Sequence, residues 1–195
     1  MTVAILTALL LLPPVVPESG RFTIRQNGQV IGTEEFSVRA AGKGFLAEGR
    51  TRLEGDPDPL VCKMELDENL IPTSYEYSHG KGTIRIRVDS QSSELTVVEG
   101  GESSSTNFRY PRGASIIDNN FFHHYLLLLY RIKGNEETFP IFVPQDMQVG
   151  QARIKRTATR MYELEVGDVK IETTVDAAGR LLRLSVPAAN VVVER

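Results

Sequence analysis

Apolar and polar residues alternate along most of the chain, and this period of two predicts β-strands. The cleanest case is the segment TIRIRVD, in which Ile84, Ile86 and Val88 alternate with charged residues. A strand of this kind has one dry face and one wet face. Two other alternating segments flank Asn27 and Gly28. Asn-Gly is the strongest two-residue signal for a β-hairpin, so these segments are predicted to pair.

Similar short segments recur along the chain, separated by turn residues at the spacing of about 8–12 residues that sandwiches and barrels show. No alternation of strands with helices is visible, which argues against a parallel α/β sheet. We therefore predict an all-β, mainly antiparallel fold of about 11–13 strands, strongly curved into a β-roll or half-barrel. Curvature or a covering element would also protect the sheet edges.

One segment departs from the strand pattern. The sequence DNNFFHHYLLLLYRI, residues 118–132, predicts the one α-helix of the fold. Asp118 is expected to be its N-cap, because a carboxylate there can accept a free backbone N–H. Arg131 and Lys133 lie at the negative end of the helix dipole. Gly134 is predicted to be the left-handed residue that ends the helix.

The apolar stripe of this helix is wider than a surface helix needs. We expect the helix to cover or plug the curved sheet, either as a core element or as a movable lid over a ligand cavity. The apolar side chains of the stripe are Phe121, Phe122, Tyr125, Leu126, Leu128, Leu129 and Ile132.

The beginning of the chain is apolar from Val3 to Val16. This run is too short for a comfortable membrane span and fits the apolar core of a secretory signal. We predict that residues 1–19 are a signal peptide or an N-terminal anchor and that residues 20–195 form a single β-roll domain. The protein is expected to be periplasmic or secreted.

Charge and cysteine content narrow the functional classes. The chain has 22 basic and 25 acidic residues, so neither a nucleic acid nor an anionic membrane surface is indicated as a partner. Cys62 is the only cysteine and cannot form an intrachain disulfide. It alternates with apolar residues in LVCKMEL, which predicts a small buried hydrophobic residue rather than a nucleophile.

A carboxylate stands on an otherwise apolar strand face, where Glu34 alternates with Phe36 and Val38. Gly32 predicts a β-bulge or a close backbone approach nearby. We expect a register change there to return Glu34 to solvent, the alternative being a polar group inside a cavity. Glu35 points to the opposite face, so the two glutamates are not a catalytic pair.

The three histidines are His79, His123 and His124. Neighbours on a helix diverge by about 100°, so the sequence predicts no metal site. Instead, one of the adjacent histidines should cap a buried hydrogen bond and the other should be at the surface. No nucleophile elbow, phosphate loop, dinucleotide fingerprint or zinc-protease pattern is present, so we predict no enzymatic activity and no cofactor. A cluster of His79, His123 and Glu34 in a cleft would favour an enzyme.

The opening GRFTIRQNGQVIGTEEF and the turn phrases LDENLIPTSYEY and VDAAGRLLRLSVP resemble a group of uncharacterised bacterial envelope proteins. These are related in pattern to spiral β-roll domains of unknown function and, more loosely, to the LolA-like lipoprotein-carrier superfamily. The resemblance covers most of residues 20–195. It implies export and a curved sheet that can hold an acyl chain, and it carries over no catalytic residue.

We therefore predict a non-enzymatic, exported envelope protein that binds a lipid or another apolar ligand between the curved sheet and the helix. The alternative is a structural or protein-interaction module of the envelope. Pro140 and Pro144 indicate an edge strand at 138–144, which could receive a strand from an envelope partner. The residues expected to line the ligand site are Phe121, Phe122, Tyr125, Leu126 and Leu129 on the helix, facing Ile84, Ile86 and Val88 on the sheet.

Overall fold

A computed structural model describes residues 17–195, and this range contains fifteen β-strands and one α-helix. The helix, α1, spans His123–Arg131. A short 3-10 turn, Pro187–Ala189, precedes the last strand. The strands are β1 Glu18–Gln26, β2 Gln29–Ala41, β3 Gly44–Leu53, β4 Leu60–Leu66, β5 Pro72–His79, β6 Gly82–Arg87, β7 Ser93–Glu99, β8 Glu102–Phe108, β9 Ser115–Ile116, β10 Glu136–Val143, β11 Gln148–Ala158, β12 Met161–Val166, β13 Val169–Val175, β14 Leu181–Val186 and β15 Val191–Glu194.

All fifteen strands belong to one curved, unclosed sheet. Two meanders, β1–β8 and β10–β15, are joined where β1 pairs with β15. Neighbouring strands are antiparallel except for the parallel pair of β9 and β10. The predicted all-β curved roll with one helix is confirmed. It has fifteen strands rather than about 11–13, in part because strands as short as β9 and β15 leave little periodicity in the sequence.

The two ends of the sheet meet through aromatic side chains. The ring of Phe108 on β8 stacks on the ring of Phe142 on β10, with centroids 5.1 Å apart. Tyr110, on the connection between β8 and β9, packs edge-on against both rings. The sheet therefore wraps around α1 even though β8 and β10 do not pair through their backbones.

The helix is shorter than the predicted range of 118–132. Phe122 occupies the N-cap position, and the chain leaves the helix in an extended conformation at Ile132. Gly134 does not adopt a positive φ. Its N–H and that of Lys133 both donate to the Glu137 carboxylate, which leads the chain directly into β10. The prediction of a left-handed glycine at the helix end is therefore wrong.

Helix α1 is packed into the core on both sides. Every residue from His123 to Leu129 is buried. Leu126, Leu128 and Leu129 pack with β1 and β10–β15 in one hydrophobic cluster. Leu127 packs with side chains of β2–β7 in a second cluster. The helix thus separates two halves of a continuous interior.

The strand predicted at the sheet edge, residues 138–144, corresponds to β10, which lies second from the end of the sheet. Strand β11 pairs with β10 along its whole length. On the other side, β9 pairs with Ile141 and Phe142. The predicted edge is therefore covered at its C-terminal part, and β8 and β9 are the outermost strands.

No helix within residues 17–195 combines the length and the apolar content needed to cross a membrane. The signal peptide or anchor predicted for residues 1–19 lies outside the described residues, apart from its last three positions. Strand β1 already begins at Glu18, where it pairs with Val38 of β2.

Candidate functional site

Glu34 lies on the inner face of β2 and has no exposed surface. The predicted bulge is present, because the β1–β2 register shifts beside Gly32. The bulge does not return Glu34 to solvent, so that prediction is wrong. The carboxylate accepts hydrogen bonds from the backbone N–H groups of Phe122 at 2.7 Å and His123 at 3.3 Å. The first N–H groups of a helix lack partners within the helix, so Glu34 caps α1 from a distant strand.

The His123 side chain is fixed by the same carboxylate. Its Nδ1–H donates to Glu34 Oε1 at 2.5 Å. The neutral ring then carries a lone pair on Nε2, which lies 3.9 Å from Cys62 Sγ. The ring stacks against Phe36. A Cβ on Gly49 would approach His123 Cε1 to 2.5 Å, so the glycine provides the space that the ring occupies.

In His124 the two ring nitrogens have the reverse roles, with Nδ1 as the acceptor and Nε2 as the donor. Its Nδ1 accepts the backbone N–H of Asp118 at 3.1 Å. The proton of the neutral ring is therefore on Nε2, which lies 3.7 Å from Cys62 Sγ. Burial holds the pKa of His124 well below its ordinary value. Both adjacent histidines are buried, so the prediction that one of them is at the surface is wrong.

Asp118 is fully buried and holds the start of α1 to two other segments. The Tyr75 hydroxyl donates to its Oδ2 at 2.5 Å, and Gln145 Nε2 donates to the same oxygen. The backbone N–H of Asn120 donates to Oδ1 at 2.9 Å. Burial, and next the charge of Asp118, raise the pKa of Tyr75 well above its ordinary value. Asp118 is thus a buried acceptor and not the predicted N-cap.

Cys62 lies at the centre of these contacts and is 1% exposed. Burial, followed by the charges of Glu34 and Asp118, raises the pKa of its thiol well above the usual range. Glu34, His123 and Cys62 stand in the order of an orienting group, a base and a nucleophile. A protonated thiol without access to solvent does not act as a nucleophile, however. The prediction of a small buried residue is confirmed.

The sequence raised two further points about the histidines: a cluster of His79 with His123 and Glu34, and the divergence of His123 from His124. His79 pairs with Asp56 at 2.9 Å and not with Glu34 or His123, so the three-residue cluster expected of an enzyme does not form. By contrast, Cys62, His123 and His124 each offer one donor atom within 4.8 Å of the others. The divergence of helical neighbours did not keep the two rings apart. The inner face of the sheet curves around the start of α1, and both rings meet it at Cys62.

An apolar row continues from Cys62 towards the end of the sheet. Tyr77, Ile84 and Val97 are successive cross-strand partners on β5, β6 and β7, and we call these three the inner strip. Cys62, opposite Tyr77, is buried. The inner strip is half-buried, and Ser104, opposite Val97 on β8, is exposed. Exposure therefore increases away from α1, and the strip is an apolar surface that the helix only partly covers.

The predicted ligand-binding residues are divided by the helix. Phe121 and Ile86 are buried in one cluster, against which Ile84 and Val88 pack. The ring of Phe121 also lies edge-on to that of Tyr77, with centroids 6.3 Å apart. The other predicted helical residues pack on the opposite side of α1, and these are Phe122, Tyr125, Leu126 and Leu129.

The sequence did not single out Tyr77 and Val97, the other two members of the inner strip. Their alternation placed them on strands. Their position next to Ile84, however, depends on the register between strands, which no local pattern specifies.

The described cavities lie on the outer face of the sheet. One, of about 380 Å³, is lined mainly by polar side chains of β12–β14, including Glu163, Glu172 and Arg183. The other, of about 360 Å³, lies over β4–β7 and includes Lys63 and Arg85. Neither of these two cavities is lined by a residue of α1.

No protein-family model and no curated protein matches this sequence. Among solved structures, the chain is similar to a DUF1089 family protein from Pseudomonas aeruginosa, with 13% sequence identity and a TM-score of 0.48. The similarity covers 80% of this chain and 90% of that chain.

Proposed function

We propose that this chain is a non-enzymatic, exported protein of the cell envelope that binds one acyl chain of a lipid on the inner strip. The observation that carries the proposal is the half-buried apolar row of Tyr77, Ile84 and Val97 beside α1. Export is supported by the apolar run from Val3 to Val16 and by the resemblance to envelope proteins.

The shape of the inner strip favours a linear ligand. Its three side chains stand on adjacent strands, which are about 4.8 Å apart, so the strip is roughly 10 Å long and one side chain wide. All three side chains can offer carbon atoms to a ligand, and the row ends at the exposed hydroxyl of Ser104. An acyl chain lying across the strands would bury its methylene groups, each contributing about 0.8 kcal/mol.

A non-enzymatic role is supported by the chemistry of the buried network. Glu34, His123 and Cys62 form the arrangement closest to a catalytic one, yet all three side chains are sealed from solvent. The raised pKa of Cys62 also keeps its thiol protonated. These groups hold α1 against the sheet, and the apolar ligand would lie beside them.

The proposal is tested by titrating the purified protein with a fluorescent long-chain fatty acid. Ile84→Ser should weaken binding about tenfold, because burying an isoleucine side chain contributes about 1.5–3 kcal/mol and a tenfold change in Kd corresponds to about 1.4 kcal/mol. The matched control is Arg85→Ser, because Arg85 is exposed on the opposite face of β6 and should leave binding unchanged. Circular dichroism would confirm that both variants are folded.

Equal affinity for the wild-type chain and Ile84→Ser would show that the strip is not the binding site. The absence of saturable binding would reject the ligand-binding role. The alternative interaction module would then be favoured, with a partner strand added at the outermost strand β8.

A further inference from the structure

We propose that Cys62, His123 and His124 bind one Cu(I) ion in a trigonal site with one sulfur and two nitrogen donors. This proposal is independent of ligand binding at the inner strip. It rests on the distances between the donor atoms, on the groups that orient the rings, and on the softness and small number of the buried donors.

The distances fit a three-coordinate ion. The two Nε2 atoms lie 3.9 Å and 3.7 Å from Cys62 Sγ. With metal–sulfur and metal–nitrogen bonds of about 2.3 and 2.0–2.1 Å, a trigonal angle separates sulfur and nitrogen by about 3.8 Å, and a tetrahedral angle by about 3.6 Å. All three donor atoms lie within 4.8 Å of one another, as one small ion requires.

His123 is already oriented as a metal ligand. Metal-binding histidines commonly donate their other ring N–H to a carboxylate, which fixes the tautomer and the direction of the lone pair. Here Nδ1–H donates to Glu34, so the Nε2 lone pair points towards Cys62. Gly49 leaves the space in which this ring is held.

His124 must change its tautomer to bind the ion. In the metal-free protein its Nε2–H points at Cys62 Sγ, and its Nδ1 accepts the Asp118 N–H. On binding, the Nε2 proton moves to Nδ1, and the hydrogen bond from Asp118 is lost. The Cys62 thiol releases its proton to solvent, so one proton leaves for each Cu(I) bound.

The donor set and its burial favour Cu(I). All three donor residues are at most 1% exposed, so solvent does not readily supply a fourth ligand. Thiolate is also a soft ligand that selects Cu(I), and zinc would normally take a fourth donor.

The test is an anaerobic titration of the reduced, full-length protein with Cu(I), in competition with a chromophoric chelator. We expect one Cu(I) per chain, with an affinity at least tenfold lower in Cys62→Ser and in His123→Gln. His79→Gln is the matched control and should bind like the wild-type chain, because His79 lies with Asp56, away from this cluster.

X-ray absorption on the copper-loaded wild-type protein tests the site without any substitution, which matters if a variant does not fold. The expected first shell is one thiolate sulfur and two nitrogens. Unchanged affinity in Cys62→Ser, a first shell that contains only nitrogen and oxygen, or no competition with the chelator would each overturn the proposal. The cluster would then be a hydrogen-bonded network that only holds α1 in place.

Discussion

At the scale of single residues, the Glu34 carboxylate has no exposed surface and accepts three N–H bonds, two from the backbone and one from the His123 ring. A buried charge is tolerated only when its hydrogen-bonding capacity is satisfied. The free N–H groups at the start of α1 donate two of these hydrogen bonds. The negative charge in turn lies at the positive end of the helix dipole.

We expect Glu34→Gln to lower the free energy of unfolding by about 3 kcal/mol. This value is the lower end of the range of about 3–5 kcal/mol seen when one partner of a buried pair is removed. The new amide would also turn an N–H group towards N–H donors. Urea unfolding monitored by circular dichroism would measure the change. Glu35→Gln is the matched control, because Glu35 is exposed on the other face of β2 and should have little effect. Equal stability of the two variants would contradict the capping role.

Asp118 and Glu34 show why the residue that caps α1 could not be predicted from the sequence. Asp118 has the right residue type and place for an N-cap, but Tyr75 and Gln145 draw its carboxylate into the core. Glu34 performs the capping from 88 positions away along the chain. Local propensity ranks cap residues near a helix, and it cannot reveal a cap supplied by a distant strand.

At the scale of elements, α1 docks against β3 at a glycine. A Cβ on Gly49 would lie 2.5 Å from His123 Cε1 and 3.1 Å from Phe121 Cδ1. The His123 ring cannot move aside easily, because Glu34 holds its Nδ1. The absence of a side chain at this one position therefore permits the helix to approach the sheet.

Gly49→Ala should destabilise the protein by about 1–3 kcal/mol, which is the usual cost of overpacking a core. Thermal unfolding would measure it. The control is Gly150→Ala on β11, where a Cβ meets the Ile141 side chain at an ordinary distance of 3.4 Å. That change should be neutral or slightly stabilising. A Gly49→Ala variant as stable as the control would mean that the helix does not approach β3 this closely.

Periodicity predicted the elements better than their contacts. The alternation around Ile84 gave β6, and Asn27–Gly28 gave the β1–β2 hairpin, whose two turn residues adopt positive φ. The cluster of Cys62 with the two histidines was not predictable, because 61 and 62 positions separate Cys62 from His123 and His124. Only the curvature of the whole sheet brings them together.

At the scale of the whole molecule, the stacking of Phe108 on Phe142 holds β8 and β10 together near the two ends of the unclosed sheet. Strands β7 and β8 form the end of the sheet, and β8 has a paired strand on one side only. The aromatic contact is therefore expected to limit local opening of this end, since edge elements with few buried contacts open first.

Phe108→Ala should accelerate amide hydrogen exchange in β7 and β8 by about 5–30-fold, corresponding to a loss of about 1–2 kcal/mol. Exchange in β1–β3 should stay unchanged. Mass spectrometry of peptides from both regions would measure it, with Asn107→Ala as the exposed neighbouring control. Faster exchange throughout the chain would show that the contact supports global rather than local stability.

Buried tyrosines make the fold sensitive to alkali. Burial, and next the charge of Asp118, raise the pKa of Tyr125 to about 12. Burial also raises the pKa values of Tyr75 and Tyr110. Above the unfolded-state pKa of about 10, the folded chain therefore holds more protons than the unfolded chain, and stability falls as pH rises. This contribution is fully present below about pH 10.

The urea midpoint should therefore decrease as pH rises above about 10. Tyr125→Phe should flatten this dependence, because it removes one of the phenols whose pKa is raised. An identical pH dependence in the variant and the wild-type chain would mean that Tyr125 does not contribute to it.

The central claim, that an acyl chain lies on the inner strip, is tested most directly by methyl NMR during titration with a long-chain fatty acid. We predict saturable shifts of the Ile84 and Val97 methyl signals, with the Ile154 and Val193 signals unchanged, because those two side chains are buried in the other cluster. Shifts confined to the other cluster, or no saturable shift at Ile84 and Val97, would contradict the claim.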